Sequence, residues 1–150
     1  MYFQFFKNLE ATLPESKAFA FTPVVNTGDG EAYSAAFLAV SLYYPAYVDN
    51  FVEASLIGVQ DKGISTKSWA GLNRIGRAAQ LPEPVSRIVT KHEKEIIGRM
   101  AELRRLQHAL GITNTPAVAV SGTYIVTPEF TQGDAAMFSR LVNGIISMAQ

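Results

Sequence analysis

The stretch Gly111–Val126, which reads GITNTPAVAVSGTYIV, decides how the rest of the chain is interpreted. Its apolar segment Pro116–Val120 and the following Thr123–Val126 flank a Ser-Gly dipeptide, which is the pattern of a β-hairpin with a short turn. Thr115-Pro116 stands directly before the first strand, where a proline marks a rigid edge or a tight turn because strand interiors exclude it. The sequence therefore predicts a hairpin that is entered through a proline.

Helical patterns occupy most of the chain around this hairpin. Apolar residues recur at a spacing of three to four positions in four regions, namely Tyr2–Leu13, Ala32–Tyr44, Tyr47–Gly58 and Trp69–Ala79. The longest stretch, Pro84–Leu110, predicts two helices or one helix kinked near Lys91, and Gly111 is expected to end it. After the hairpin, Asp134 is expected to begin a last helix.

One further strand is predicted near the N-terminus. Lys17–Val25 reads KAFAFTPVV, in which Phe19 and Phe21 alternate with small residues. Because Pro23 would interrupt a ladder, pairing should end near Thr22. A strand separated from a terminal hairpin by a helical block predicts a small α/β sheet domain with a helical insertion.

Composition excludes several classes of protein. A length of 150 residues suits one ordinary domain, and 48% hydrophobic against 17% charged residues argues against disorder. Thirteen basic and 13 acidic residues give a formal net charge of zero, which lacks the electrostatic footprint of a dedicated nucleic-acid binder. No apolar run reaches the ~18–20 residues of a membrane span. Cysteine is absent, so these residues form no disulfide or thiolate zinc site and perform no thiol chemistry.

The sequence contains no complete catalytic or metal-binding pattern. His92 and His108 fall on the same predicted helical stretch but point in different directions, so they would not share a metal ion. Gly28-Asp29-Gly30 lacks the ending of a phosphate-binding loop and predicts a turn. The aromatic residues between 33 and 51 follow the spacing of a core, and the charges between 91 and 105 that of a solvated face. No cofactor or metal is therefore expected.

The proline-entered hairpin, together with the order of the other elements, resembles the DsbA family of thioredoxin-fold thiol–disulfide oxidoreductases. Tyr2–Leu13 is similar to the remainder of the helix that follows the Cys-x-x-Cys motif of that family, and Lys17–Thr22 to the next strand. Gly30–Leu110 resembles its inserted helical domain, and Thr115-Pro116 its cis-proline loop. Asp134–Ala149 is similar to its last helix.

This resemblance implies an α/β, thioredoxin-like fold. Residues 1–28 and 111–150 would form its thioredoxin-like parts, and residues 29–110 the inserted helical domain. It also implies that the peptide bond between Thr115 and Pro116 is cis.

The sequence departs from the family at the catalytic motif. It starts at Met1, about where the second cysteine would stand, so the nucleophilic thiolate and the strand that precedes it are missing. The resemblance thus implies a member truncated just after its active site, with no catalytic residue and without the first central strand. Lys17–Thr22 and Ala117–Val120 would then border an empty position. A preceding segment of the parent protein would fill it or, second in rank, another copy of the chain; the two strands could also close up and pair with each other.

Two functions are compatible with these observations. In the first, the parent is a periplasmic thiol:disulfide oxidoreductase that acts on extended or unfolded polypeptides together with a membrane redox partner, and this chain is its redox-inactive remainder. The residues implied to bind substrate are Asn114, Thr115 and Pro116, because backbone groups before the proline would hydrogen-bond to a peptide. In the alternative, the chain is a cysteine-free thioredoxin-like scaffold that binds peptides or forms a homodimer through its aromatic N-terminal helix.

Overall fold

The computed structural model describes residues 2–25 and 27–149. Its α-helices are α1 (Tyr2–Thr12), α2 (Glu31–Tyr43), α3 (Val48–Gln60), α4 (Trp69–Ala78), α5 (Val85–Lys91), α6 (Glu93–Ala109) and α7 (Ala135–Met148). Its strands are β1 (Val118–Val120) and β2 (Tyr124–Val126). Short 3-10 turns cover Gly28–Gly30, Pro45–Tyr47 and Pro128–Thr131.

The predicted α/β, thioredoxin-like fold is wrong. The chain is 64% helical, and the sheet of the described residues consists of β1 and β2 alone. A thioredoxin-like sheet joins strands from distant parts of the chain, whereas β1 and β2 are consecutive and antiparallel. Their register pairs Val118 with Val126, Ala119 with Ile125 and Val120 with Tyr124. The molecule is therefore mostly helical and carries one short hairpin.

The segment Lys17–Thr22 shows why the sequence overpredicts the sheet. Its side chains alternate as those of a strand do, since Lys17, Phe19 and Phe21 are half-buried and the residues between them are exposed. The segment nevertheless belongs to no strand of the described chain. Alternation reports which side chains face a core, but a strand also needs a backbone partner, which the pattern of a single segment does not reveal.

The chain divides into two compact units. Unit 1 contains Met1–Ala20 and Leu106–Gln150, and unit 2 contains Phe21–Arg105. Both chain ends thus contribute to one unit, and the middle of the chain forms the other. The divisions fall after residues 20 and 105, whereas the sequence predicts them after residues 28 and 110.

Unit 2 is built around α2. Every residue from Ser34 to Val40 is buried, so this helix is covered on all sides rather than on one stripe. The buried polar group of the helix is satisfied, because the Ser34 hydroxyl donates a hydrogen bond of 3.1 Å to the carbonyl of Gly30. One core cluster joins α2 to α5 and α6, and its buried members are Val25, Ala35, Leu38, Ala39, Ile88, Ile96 and Met100.

Unit 1 has an aromatic core. Phe138 of α7 is fully buried, and its ring centroid lies 5.4 Å from that of Phe5 and 6.5 Å from that of Phe6. Phe6 also stacks on Phe19 at 6.2 Å. Phe6 and Leu9 are buried at 8% and 4% exposure, so the inner face of α1 contributes to this core.

Several predicted element boundaries are confirmed. The long helical stretch is two helices, because α5 ends at Lys91 and α6 begins at Glu93. Gly111 follows α6 with φ of +64°, as a helix-terminating glycine should. Asp134 caps α7, since its carboxylate accepts the Met137 amide at 2.8 Å.

Candidate functional site

The three predicted substrate-binding residues lie in the loop that enters β1. Asn114 and Thr115 are exposed, and Pro116 is half-buried. The peptide bond between Thr115 and Pro116 is cis, as predicted. These residues are neighbours in sequence, so their proximity does not depend on the fold. The fold places β1 directly after them and the turn Pro128–Thr131 beside them.

The loop is followed by β1, which has one edge facing away from β2. At the hairpin turn the Val120 carbonyl accepts the Thr123 amide at 3.1 Å, so the polar groups of Val120 face the hairpin. Because backbone groups of successive strand residues point to opposite sides, Ala119 directs its N–H and C=O away from β2. Ala119 is exposed, and no other strand of residues 2–25 and 27–149 pairs with β1. This edge is free to accept an extended chain.

A short loop joins β1 to β2 and sets the length of the exposed edge. Ser121 and Gly122 both have positive φ, at 52° and 66°, in the three-residue loop that joins Val120 to Tyr124. This short loop connects two strands of only three residues each. The edge at Ala119 is therefore presented by a tight hairpin rather than by a long sheet.

A carboxylate lies beside the loop. Asn114 donates a hydrogen bond from Nδ2 to Oε1 of Glu129 at 2.9 Å. Glu129 belongs to the turn Pro128–Thr131, which the buried Thr131 supports by donating from its hydroxyl to the Pro128 carbonyl at 3.1 Å. Glu129 is exposed and forms no ion pair with any described residue. One negative charge without an ion-pair partner among the described residues thus lies beside the loop before β1.

Unit 2 contains a second polar cluster, which we call the tyrosine clasp and define as Tyr43, Tyr44, Glu83, Lys91, His92 and Glu95. Tyr44 donates from its hydroxyl to Glu83 at 2.6 Å, and Lys91 binds the other oxygen of the same carboxylate at 2.9 Å. These contacts lower the pKa of Glu83, the hydrogen bond from Tyr44 more than that from Lys91.

The other half of the tyrosine clasp is centred on Tyr43. Its hydroxyl donates to Glu95, and its ring stacks on the His92 imidazole with centroids 3.6 Å apart and an interplanar angle of 16°. The hydrogen bond to Glu95 raises the pKa of Tyr43 to about 12. Both tyrosine hydroxyls of the clasp thus donate to carboxylates, and the cluster holds the end of α2 against α5 and α6. This arrangement is structural rather than reactive.

Sequence reasoning missed the tyrosine clasp. It assigned Tyr43 and Tyr44 to a core and the charges around His92 to a solvated face, and it did not connect the two. Their partners lie 39 and 52 residues away in sequence, so no local pattern reveals the pairing. The only local signal is that the two tyrosines end a helix directly before Pro45.

The described residues offer neither a metal site nor a helix that could span a membrane. Within residues 2–25 and 27–149, no three side chains of His, Asp or Glu converge on a point where they could hold a metal ion. None of the helices in that part of the chain combines the length and the apolar character that crossing a bilayer requires. His92 is engaged in the ring stack with Tyr43 instead.

Comparison with known proteins gives no relative, since no family model, no curated protein and no solved structure matches this chain.

Proposed function

We propose that unit 1 binds extended polypeptides by adding them as a strand to the outer edge of β1, and that residues 1–150 catalyse no disulfide exchange themselves. The observation that carries this proposal is the edge at Ala119, which is exposed, points away from β2 and has no strand partner in the described chain. In strand addition the main-chain hydrogen bonds supply affinity, and the side chains that flank them supply specificity.

The size of the edge sets the strength of binding. β1 has three residues, and only alternate residues present their N–H and C=O outward, so an added strand gains few hydrogen bonds. Each contributes about 0.5–1.5 kcal/mol net, from which the cost of ordering the peptide is subtracted. We therefore expect weak and reversible binding with dissociation constants of about 1 mM or above.

The charge beside the loop favours one class of peptide. Glu129 is exposed, is tied to Asn114 and forms no ion pair with the described residues. A lysine or arginine of a bound peptide could pair with its free carboxylate oxygen. An exposed pair of this kind contributes up to about 1 kcal/mol at low ionic strength, so basic peptides should bind several times more tightly.

The resemblance of the hairpin to the DsbA family supports the same ligand class. It favours unfolded secreted polypeptides as the source of the peptide, and a periplasmic location. Redox activity is not part of the proposal, because exchange of disulfides begins with attack by a thiolate and residues 1–150 contain no cysteine.

The test uses a fluorescein-labelled peptide of alternating valine and lysine, titrated with the protein and followed by fluorescence anisotropy. Ala119→Pro removes the outward N–H without removing a hydrogen bond to β2, so it should weaken binding by about tenfold. Ala119→Val is the matched control, because it enlarges the side chain similarly and keeps the N–H. It should bind within about twofold of the unmodified protein.

A second arm changes the ligand instead of the protein. The same peptide with an N-methyl group at every residue loses the N–H donors of both edges, and it should bind weakly to the unmodified protein. Equal binding of the Ala119→Pro and Ala119→Val variants, or of the plain and N-methylated peptides, would contradict strand addition. Concentration-dependent self-association that Ala119→Pro abolishes, without peptide binding, would assign the edge to a second copy and also overturn the proposal.

A further inference from the structure

Unit 2 contains a pocket that the proposed function does not use. Its volume is about 340 Å³, and it lies between one face of α3, the end of α4 and the loop that follows α3. The apolar part of its lining includes Ile57, which is 41% exposed, and the buried Ile64. Pockets of about 300–1,000 Å³ hold small molecules, so this one suits a ligand at the lower end of that range.

The polar lining of the pocket is chemically mixed and unpaired. Glu53 and Lys62 line it, and neither forms an ion pair with the other or with any described residue. Asn50 and Gln80 also line it, and their side-chain amides make no hydrogen bond to the described part of the chain. The pocket therefore presents one acid, one base and two amides around an apolar surface.

Gln80 also has an unusual backbone. Its φ is +63°, a left-handed conformation that L residues disfavour. It follows α4 in a helix-ending motif in which its amide bonds the Arg77 carbonyl at 3.0 Å and the Leu81 amide bonds the Gly76 carbonyl at 3.0 Å. Glycine is the usual residue at this position. A side chain kept at a strained position is a common feature of binding sites, and this one lines the pocket.

We infer that this pocket binds a small zwitterion with an apolar side chain, that is, a free aliphatic amino acid. Lys62 would bind its carboxylate and Glu53 its ammonium group, because each would thereby gain the opposite charge that it lacks. Ile57 and Ile64 would contact its side chain. The amides of Asn50 and Gln80 can donate and accept hydrogen bonds, so they would orient both charged ends.

The experiment titrates L-leucine into the ¹⁵N-labelled protein and follows amide shifts by NMR. Saturable shifts should centre on residues 50–64 and 78–80. Two analogues isolate the charged ends, since 4-methylpentanoic acid lacks the ammonium group and L-leucinamide lacks the carboxylate. Each analogue should bind about tenfold more weakly than leucine, because each loses one charged contact.

Variants assign each end to one residue. Lys62→Met should weaken leucine binding about tenfold and leave L-leucinamide unaffected, and Glu53→Gln should weaken leucine but not 4-methylpentanoic acid. Gln80→Gly should weaken leucine binding while it raises the midpoint of urea unfolding. Lys94→Met, an exposed lysine outside the pocket, is the matched control and should bind leucine normally.

Two results would overturn the inference. One is the absence of saturable shifts at residues 50–64 and 78–80 at leucine concentrations up to about 20 mM, which is well above the dissociation constants typical of weak small-ligand sites. The other is leucine binding that Lys62→Met and Glu53→Gln both leave unchanged. Neither result bears on the peptide site of unit 1.

Discussion

Gln80 and Gly111 occupy the same position at the ends of two helices, although only glycine suits it. Their φ angles are +63° and +64°. At both ends the amide of this residue bonds the carbonyl three residues back, and the following amide bonds the carbonyl five residues back. An L side chain in this conformation costs about 1–2 kcal/mol, whereas glycine has no such cost. α4 thus ends with a strain that α6 avoids.

Gln80→Gly should therefore stabilise the protein. We expect the free energy of unfolding to rise by about 0.5–1 kcal/mol, since relief of the strain is partly offset by the greater freedom of glycine in the unfolded chain. Urea denaturation measures the change. The reciprocal variant Gly111→Gln should lower the same quantity by a similar amount, and two changes of the same sign would refute the equivalence of the two helix ends.

Two helical glycines should respond in opposite ways to alanine. A Cβ atom at Gly71 would lie 1.8 Å from the Ser65 carbonyl oxygen, so Gly71→Ala must displace backbone and should destabilise the protein by about 2–3 kcal/mol. A Cβ atom at Gly98 would have no neighbour within 4 Å, so Gly98→Ala should stabilise α6 by about 0.5–1 kcal/mol. Urea midpoints compare the two, and a tolerated Gly71→Ala would refute the close approach of α4 to Ser65.

The tyrosine clasp should be visible in a pH titration. The pKa of Tyr43 is raised from 10.0 to about 12, because its hydroxyl donates to Glu95. Since the folded-state pKa lies above the unfolded value, this contact stabilises the fold fully below pH 10.0, and its contribution is lost as the pH rises towards 12. Ultraviolet absorbance of tyrosinate should show one tyrosine with a midpoint near 12.

Glu95→Gln removes the acceptor charge and should return that midpoint towards 10.0. Glu93→Gln changes an acid two positions away that makes no hydrogen bond to Tyr43, so it should leave the midpoint unchanged. If both variants titrate alike, the hydrogen bond between Tyr43 and Glu95 is not the cause of the shift.

The helices could be predicted from the sequence because their determinants are local. The spacing of apolar residues predicts the helical regions, although it leaves open whether α5 and α6 are two helices or one kinked helix, and single residues predict several ends, such as Gly111 after α6 and Asp134 before α7. The hairpin was equally local, since its turn residues and flanking apolar segments are adjacent in sequence. Features that depend on at most a few neighbouring residues were thus recovered.

Features that depend on residues far apart in the sequence could not be predicted. The half-buried Phe19 and Phe21 alternate with exposed neighbours. Whether their segment pairs with another strand, however, depends on residues elsewhere in the chain. The same holds for Tyr43 and Glu95, which are 52 residues apart. At the candidate site Asn114 and its neighbours stay a prediction from the family resemblance, and neither the hydrogen bond to Glu129 nor the pocket around Gln80 has a sequence signature.

The chain should show no thiol–disulfide exchange activity. With no cysteine in residues 1–150, no thiolate is present to form a mixed disulfide. Reduction of insulin by dithiothreitol, followed by turbidity, should proceed at the rate without added protein. Acceleration above that rate would mean that the chain uses a chemistry other than cysteine attack.

The most direct test of the peptide-binding edge is the hydrogen exchange of the Ala119 amide. That N–H points away from β2 and has no strand partner in the described chain, so it should exchange freely in the unliganded protein. Saturation with the alternating valine–lysine peptide should slow its exchange by about tenfold or more. The Val120 amide, which faces the hairpin, serves as the internal reference and should change little. An Ala119 amide that exchanges equally fast with and without bound peptide would contradict strand addition at β1.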